Sequence, residues 1–244
     1  MNSSYYNDHI KKEMKSWQRD MLRHPSFLNR LSKKLQLKIN SYIPEKVHET
    51  ITAAIRQMIK GVLFGVKFTT ASPEKINSVE ITETTIKEKI EWYKRTAAAE
   101  GGITGAGGFL LAFADFPILI GIKIKMLFDI ASAYGYDVKD YKERVFILHI
   151  FQLAFSSHEH RKNVFLKMEN WNTKVALLPK DINDFDWRNF QQEYRDYIDL
   201  AKLAQLIPVI GAAVGLVVNY RLLKKLGYTA MNAYRIRLQE DKIL

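Results

Sequence analysis

The 244-residue sequence predicts an all-α protein, a compact multi-helix bundle built around two small-residue-rich apolar segments. Three observations predict it. Apolar residues recur at helical spacing in nearly every segment. Strand alternation is almost absent and shows only briefly at 77–82. Glycines four apart stand at Gly61/Gly65, Gly101/Gly105 and Gly211/Gly215, and that spacing lets helix backbones approach closely.

The elements follow in order. Over residues 8–23, Ile10, Met14, Trp17 and Met21 form an apolar stripe opposite Lys11, Lys15 and Arg19. Such a helix either packs on its domain or lies on a membrane surface, where those three cations would make the contact. His24-Pro25 ends it, and Phe27, Leu31 and Leu35 begin a second. Pro44 suits the first turn of a third helix, whose face is Val47, Ile51, Ile55, Met58 and Val62. Residues 69–79, with Ser72-Pro73, read as a linker. Thr82 is the expected N-cap of a polar helix to about residue 99.

A glycine cluster follows (Gly101, Gly102, Gly105, Gly107, Gly108), and Pro117 then opens a central helix that ends near Gly135. Asp137 is expected to cap a helix through Val145, Leu148 and Leu153. Residues 156–186 carry one short helix at 164–168 among turns. Asp186 caps a helix through Tyr194 and Leu200, and Pro208 leads into the last one. The expected division is a basic N-terminal helical region, 1–68, packed on a helical domain, 82–240. Gly101, Gly105, Gly211 and Gly215 are expected at helix crossings.

At 47% hydrophobic and 26% charged, the composition is globular. The absence of cysteine excludes disulfides, thiolate nucleophiles and cysteine-based zinc sites. The net charge of +11 sits at the two ends: residues 1–60 hold 12 Lys/Arg against 5 Asp/Glu, and 216–244 hold 6 against 2. Basic ends suit an anionic membrane surface. Nucleic acid is not expected as a partner, because no reading motif accompanies the charge. The N-terminus MNSSYYNDHIKKEMK has no apolar signal region. Residues 103–122 approach span length but contain Asp115 and Pro117; residues 203–220 are uncharged but contain Gln205, Pro208 and Asn219. A span needs about 20 mostly apolar residues, so both read as buried core helices.

Familiar catalytic motifs are missing. The glycine cluster has no GK[ST] ending and no strand before it, so it is no phosphate loop. Neither GxSxG nor HExxH occurs. His158-Glu159-His160, with His149 as a fourth group, could supply metal ligands but reads better as a hydrated loop. Glu100 and Asp115 frame a 14-residue uncharged run. A buried carboxylate must be paired or protonated, so this pair is the candidate for acid–base or ion-binding chemistry. Its structural alternative makes Asp115 a helix cap and Glu100 a salt-bridge partner. Lys125 and Asp129, four apart, can pair on one helix face.

At these residues the chain resembles the EcsC family. The matching pieces are Ala99-Glu100-Gly101, TGAGG at 104–108, Ala114-Asp115 with Pro117, AYGYD at 133–137, and IPVIGAAVGLVVNYRLLKKLGYTA at 207–230. The likeness runs from about residue 91 to 237 and is thinner before 80. The resemblance implies a bacterial accessory protein beside an ABC transporter, with no catalytic residues to carry over and no cofactor. The expected function is therefore that of a non-catalytic interaction protein. It would act in the cytoplasm or at the inner face of the cell membrane, against an anionic membrane surface or a membrane protein complex. The alternative is an enzyme or ion-binding protein using Glu100 and Asp115.

Overall fold

Serine and aspartate caps and one left-handed glycine set the helix boundaries on which the packing depends. The computed structural model describes residues 3–23, 45–64, 72–105, 116–157, 160–198 and 212–244. Among them are nine α-helices: α1 (Ser3–Leu22), α2 (Glu45–Phe64), α3 (Val79–Gly105), α4 (Phe116–Ala133), α5 (Tyr141–Phe155), α6 (Arg161–Met168), α7 (Trp171–Val175), α8 (Trp187–Tyr197) and α9 (Ala212–Glu240). A 3₁₀ turn, Ile182–Asp184, lies between α7 and α8. No strand forms among the described residues; Ser156 and Ile198 make one isolated antiparallel bridge. The all-α prediction holds.

The apolar stripe of α1 is consumed by the core. Ile10, Met14 and Trp17 are buried, and Trp17 meets Phe165 of α6 edge-on at 5.6 Å between ring centroids. Lys15 and Arg19 remain exposed on the opposite face, with Lys11 half-buried. On α2, Ile55, Met58 and Val62 are buried as their spacing predicts, against α4 and α5.

Helix α3 starts earlier than its expected cap. Ser78 stands at its start, where its hydroxyl and carbonyl receive the Ile81 and Thr82 N–H groups, so Thr82 lies inside the first turn. A serine four residues upstream competes for the same role, and the brief alternation around it carries no strand. The helix then runs antiparallel to α9. Glu83 meets Arg235, Ile90 meets Gly227, and the Lys94 ammonium lies 4.1 Å from the centre of the Tyr220 ring.

The AYGYD segment closes α4 by a left-handed glycine. Gly135 has φ +81°, the Tyr136 N–H donates to the Ala131 carbonyl, and the Gly135 N–H donates to Ser132. This pairing satisfies the helix's last carbonyls, and a Cβ at Gly135 would also press on the Glu74 carbonyl oxygen at 3.1 Å. The cap of α5 is Asp140, whose side chain accepts from the Lys142 N–H at 2.9 Å. Asp137 instead accepts from Lys139 in the turn before it. Helix α5 is enclosed on all sides, with 13 of its 15 residues buried, so it occupies the centre of the bundle. Asp186 caps α8 through the Asn189 N–H, as expected.

No helix among the described residues is long and apolar enough to cross a membrane. Gly101 and Gly105 lie in the last turns of α3 and Gly215 in the first turn of α9, while Gly211 falls outside the described residues. A Cβ at Gly61 would meet nothing within 4 Å among the described residues, and its partner Gly65 lies outside them. The tight contact belongs to Gly227, where a Cβ would lie 2.7 Å from Ile90 Cδ1.

Candidate functional site

Two buried carboxylates organise the polar interior. Glu83, on the buried stripe of α3 with Val79, Ile86 and Ile90, is fully enclosed. Arg235 of α9 grips it with two hydrogen bonds, Nε to Oε1 at 2.7 Å and Nη2 to Oε2 at 2.6 Å. Tyr6 donates to Oε2 at 2.8 Å and Tyr134 to Oε1 at 3.1 Å. The remaining Arg235 nitrogen reaches Asn232 Oδ1 at 3.1 Å and Glu13 at 3.0 Å. Burial alone would depress the Arg235 guanidinium; the hydrogen bonds and charge of Glu83 outweigh it and leave the pKa raised.

Glu143 repeats the arrangement on α5, accepting from Tyr234 at 2.7 Å and from Arg237. Burial raises its pKa, and Arg237 works against that rise. The Arg237 guanidinium lies 3.7 Å from the centre of the Tyr136 ring. Tyr136 donates to Asp241 at 2.7 Å. Tyr134, Tyr234 and Tyr136 stack in sequence, at 5.4 and 5.2 Å, and bridge the two carboxylates. Burial holds both Tyr134 and Tyr234 well above the ordinary phenol range, so they donate rather than ionise. Both buried carboxylates are met by an arginine and by tyrosine hydroxyls, while Arg237 Nε has no hydrogen-bond partner among the described residues. The arrangement fixes the register of α1, α3, α5 and α9 and of the turn that follows α4.

Lys123 of α4 is also fully buried, with Nζ 3.2 Å from Asn219 Oδ1 on α9; burial lowers its pKa to about 7. Lys125 pairs with Asp129 within α4, as their spacing predicts, and Asp129 also receives the Tyr93 hydroxyl, which ties α3 to α4.

An open cleft of about 450 Å³ lies between α5, α6, α7 and α8. Val145, Leu166, Trp171, Leu178, Phe185 and Phe190 wall it, with His149, Asn163, Lys167 and Lys174 as its polar lining. His149 is 6% exposed, and its Nδ1 lies 3.3 Å from Gln152 Oε1. The Gln152 amide nitrogen donates to the Tyr194 carbonyl, so Oε1 is the atom that faces the ring. Nδ1 therefore carries the proton and Nε2 the lone pair. Burial lowers the imidazole pKa to about 4; the Gln152 hydrogen bond and Glu193 oppose this, while Lys167 and Lys174 add to it.

That shift predicts an acid limb. Above pH 6.5 the histidine is neutral folded or unfolded and contributes nothing to the pH dependence. Between 6.5 and 4 the unfolded chain takes up a proton that the folded chain refuses, so stability falls by up to about 3 kcal/mol. In urea melts, His149→Phe should lose less stability than the parent between pH 7 and 4.5. Parallel losses in the two proteins would refute this.

Most of the predicted catalytic and metal-binding side chains lie outside the described residues. Asp115, His158 and Glu159 fall outside the described residues, and Glu100 lies in α3 with its side chain outside them. His160 stands at the N-terminus of α6, and His149 lies on the preceding helix, α5. No group of three or more histidines or acidic residues suited to a metal ion occurs among the described residues.

Comparison with known proteins adds the family context. Residues 8–238 match the EcsC protein family, reaching well before the 91–237 stretch that carries the motifs. The chain is 44% identical to "Protein EcsC" of Bacillus subtilis (strain 168), over 96% of this chain and 97% of that one. It is 33% identical to "Uncharacterized protein YdbA" of the same organism, over 58% of this chain and 52% of that one. No solved structure matches.

Proposed function

Because the chain belongs to the EcsC protein family, we propose that it is a non-catalytic accessory protein held at the inner face of the cell membrane. The outward face of α1 makes the contact. One observation supports this reading above others: the apolar stripe of α1 is spent on the core, which leaves Lys15 and Arg19 exposed and Lys11 at their edge. A helix seated this way meets an anionic surface by charge, without inserting. The basic surplus of both chain ends adds to the same attraction. We extend the proposal to a membrane protein complex as the partner, an ABC transporter system, on the strength of the family resemblance.

Co-sedimentation with vesicles tests it. Binding should require anionic lipid such as phosphatidylglycerol and weaken steeply above about 0.15 M salt, where charges are screened within about 8 Å. Replacing Lys11, Lys15 and Arg19 together by Gln should weaken it strongly, since each cation near such a surface contributes about 1 kcal/mol. Salt-resistant binding to neutral phosphatidylcholine vesicles would overturn the reading in favour of insertion.

A further inference from the structure

We propose that the cleft over His149 is a binding site for a small uncharged molecule with a flat apolar body and one hydrogen-bond donor. No residue of α1 lines the site, which is built from residues 145–190, and the proposal stands or falls independently of the membrane reading.

The volume suits a small molecule. At about 450 Å³ the cleft lies within the range of such sites, roughly 300–1,000 Å³, which are typically apolar with a few placed polar groups. Its walls are aromatic and arranged around His149: Trp171 and Phe190 meet the imidazole edge-on at 6.0 and 5.3 Å. Flat rings between such walls gain from edge and face contacts alike.

The polar lining selects the ligand's chemistry. Both lysines engage their ammonium groups elsewhere. Lys174 donates to the Leu166 and Glu169 carbonyls at the end of α6, and Lys167 pairs with Glu193. What they lend the cleft is mainly the methylene stem. Asn163 sits exposed at the rim. His149 is the polar group more than nine-tenths buried, and its Nδ1 proton is committed to Gln152. The nitrogen left to the cleft is Nε2, an acceptor. A ligand that offers an N–H or O–H there completes the site, whereas a carboxylate would set lone pair against lone pair.

Indole and 1-methylindole separate shape from hydrogen bonding, because only the first carries the donor. Isothermal titration of the full chain at pH 7.5 should show saturable binding of indole, with 1-methylindole about tenfold weaker. His149→Phe keeps a ring against Trp171 and Phe190 and should abolish that preference. Leu178→Trp, a half-buried wall position where a larger ring fills the cleft, should abolish binding of both. Equal affinities for the two probes in the parent protein would overturn the proposal, and that comparison needs no variant to fold. So would the absence of saturable indole binding, or indole binding undiminished in Leu178→Trp.

Discussion

Arg235→Met is expected to lower the stability of the protein by about 3–5 kcal/mol, the usual cost of stripping one partner from a buried ion pair. Glu83 would be left in a fully enclosed position without its cation, held by the hydroxyls of Tyr6 and Tyr134 alone. In a chain of this size each kcal/mol moves Tm by about 2–4 °C, so the drop should be roughly 6–20 °C. The converse holds for the pair as a whole. Taking two charges out of water costs several kcal/mol per ion, which their attraction offsets only when the geometry is good. The double variant Glu83→Leu/Arg235→Met should therefore lose much less than the two single changes added together. Thermal melts of the four proteins in this cycle measure the coupling directly. Strictly additive losses would mean that the two side chains do not stabilise one another.

Gly227→Val should cost about 1–3 kcal/mol by overpacking, and Ile90→Ala should restore much of it. The new Cβ would stand 2.7 Å from Ile90 Cδ1 and 3.0 Å from both Cγ1 and Cγ2. Turning the far methyl aside relieves the closest contact but leaves Cγ2, which χ2 does not move. All three contacts belong to one side chain, so shortening that side chain opens the space. The test is whether the double variant melts nearer the parent than Gly227→Val does. Failure of Ile90→Ala to rescue would place the strain elsewhere. If the register that sets Ile90 against Gly227 continues toward the other end of the two helices, Gly101 comes level with Gly215. A leucine at either should then be similarly disruptive.

Local periodicity made most of the helices legible in advance. Ile10, Met14, Trp17 and Met21 are spaced as one buried face, and one buried face is what they form. Gly135 was readable as a helix end because few other residues adopt its conformation without strain. The caps were harder. Ser78 and Asp140 took the roles expected of Thr82 and Asp137, since several capping residues within one turn compete and only packing chooses between them. The polar interior was not legible. Glu83 and Arg235 read as ordinary charges on helix faces, and nothing local shows that they meet across the fold. One signal was present: Glu83 falls on the same stripe as Val79, Ile86 and Ile90, where a charge is out of place unless something answers it. Gly227 has no glycine partner four residues away, and close approach depends on the facing side chain rather than on a spacing rule. His149 was read only as a spare metal ligand; its cleft is assembled from four helices and has no trace in the sequence around it.

The bond between Glu83 and Arg235 spans 152 positions, and this carries a consequence for the chain while it is being made. Synthesis proceeds from the N-terminus, so α3 emerges long before the residue that neutralises it. Until α9 is released, the nascent chain has a carboxylate on the stripe that should turn inward, and Tyr6 and Tyr134 offer it only uncharged donors. The early helices can form and gather on their apolar faces, yet the space around Glu83 stays without its cation until α9 arrives. Assembly of the interior is thereby deferred to the end of translation. A chain cut short before residue 235 would stay open to proteases, whatever helices it had already made.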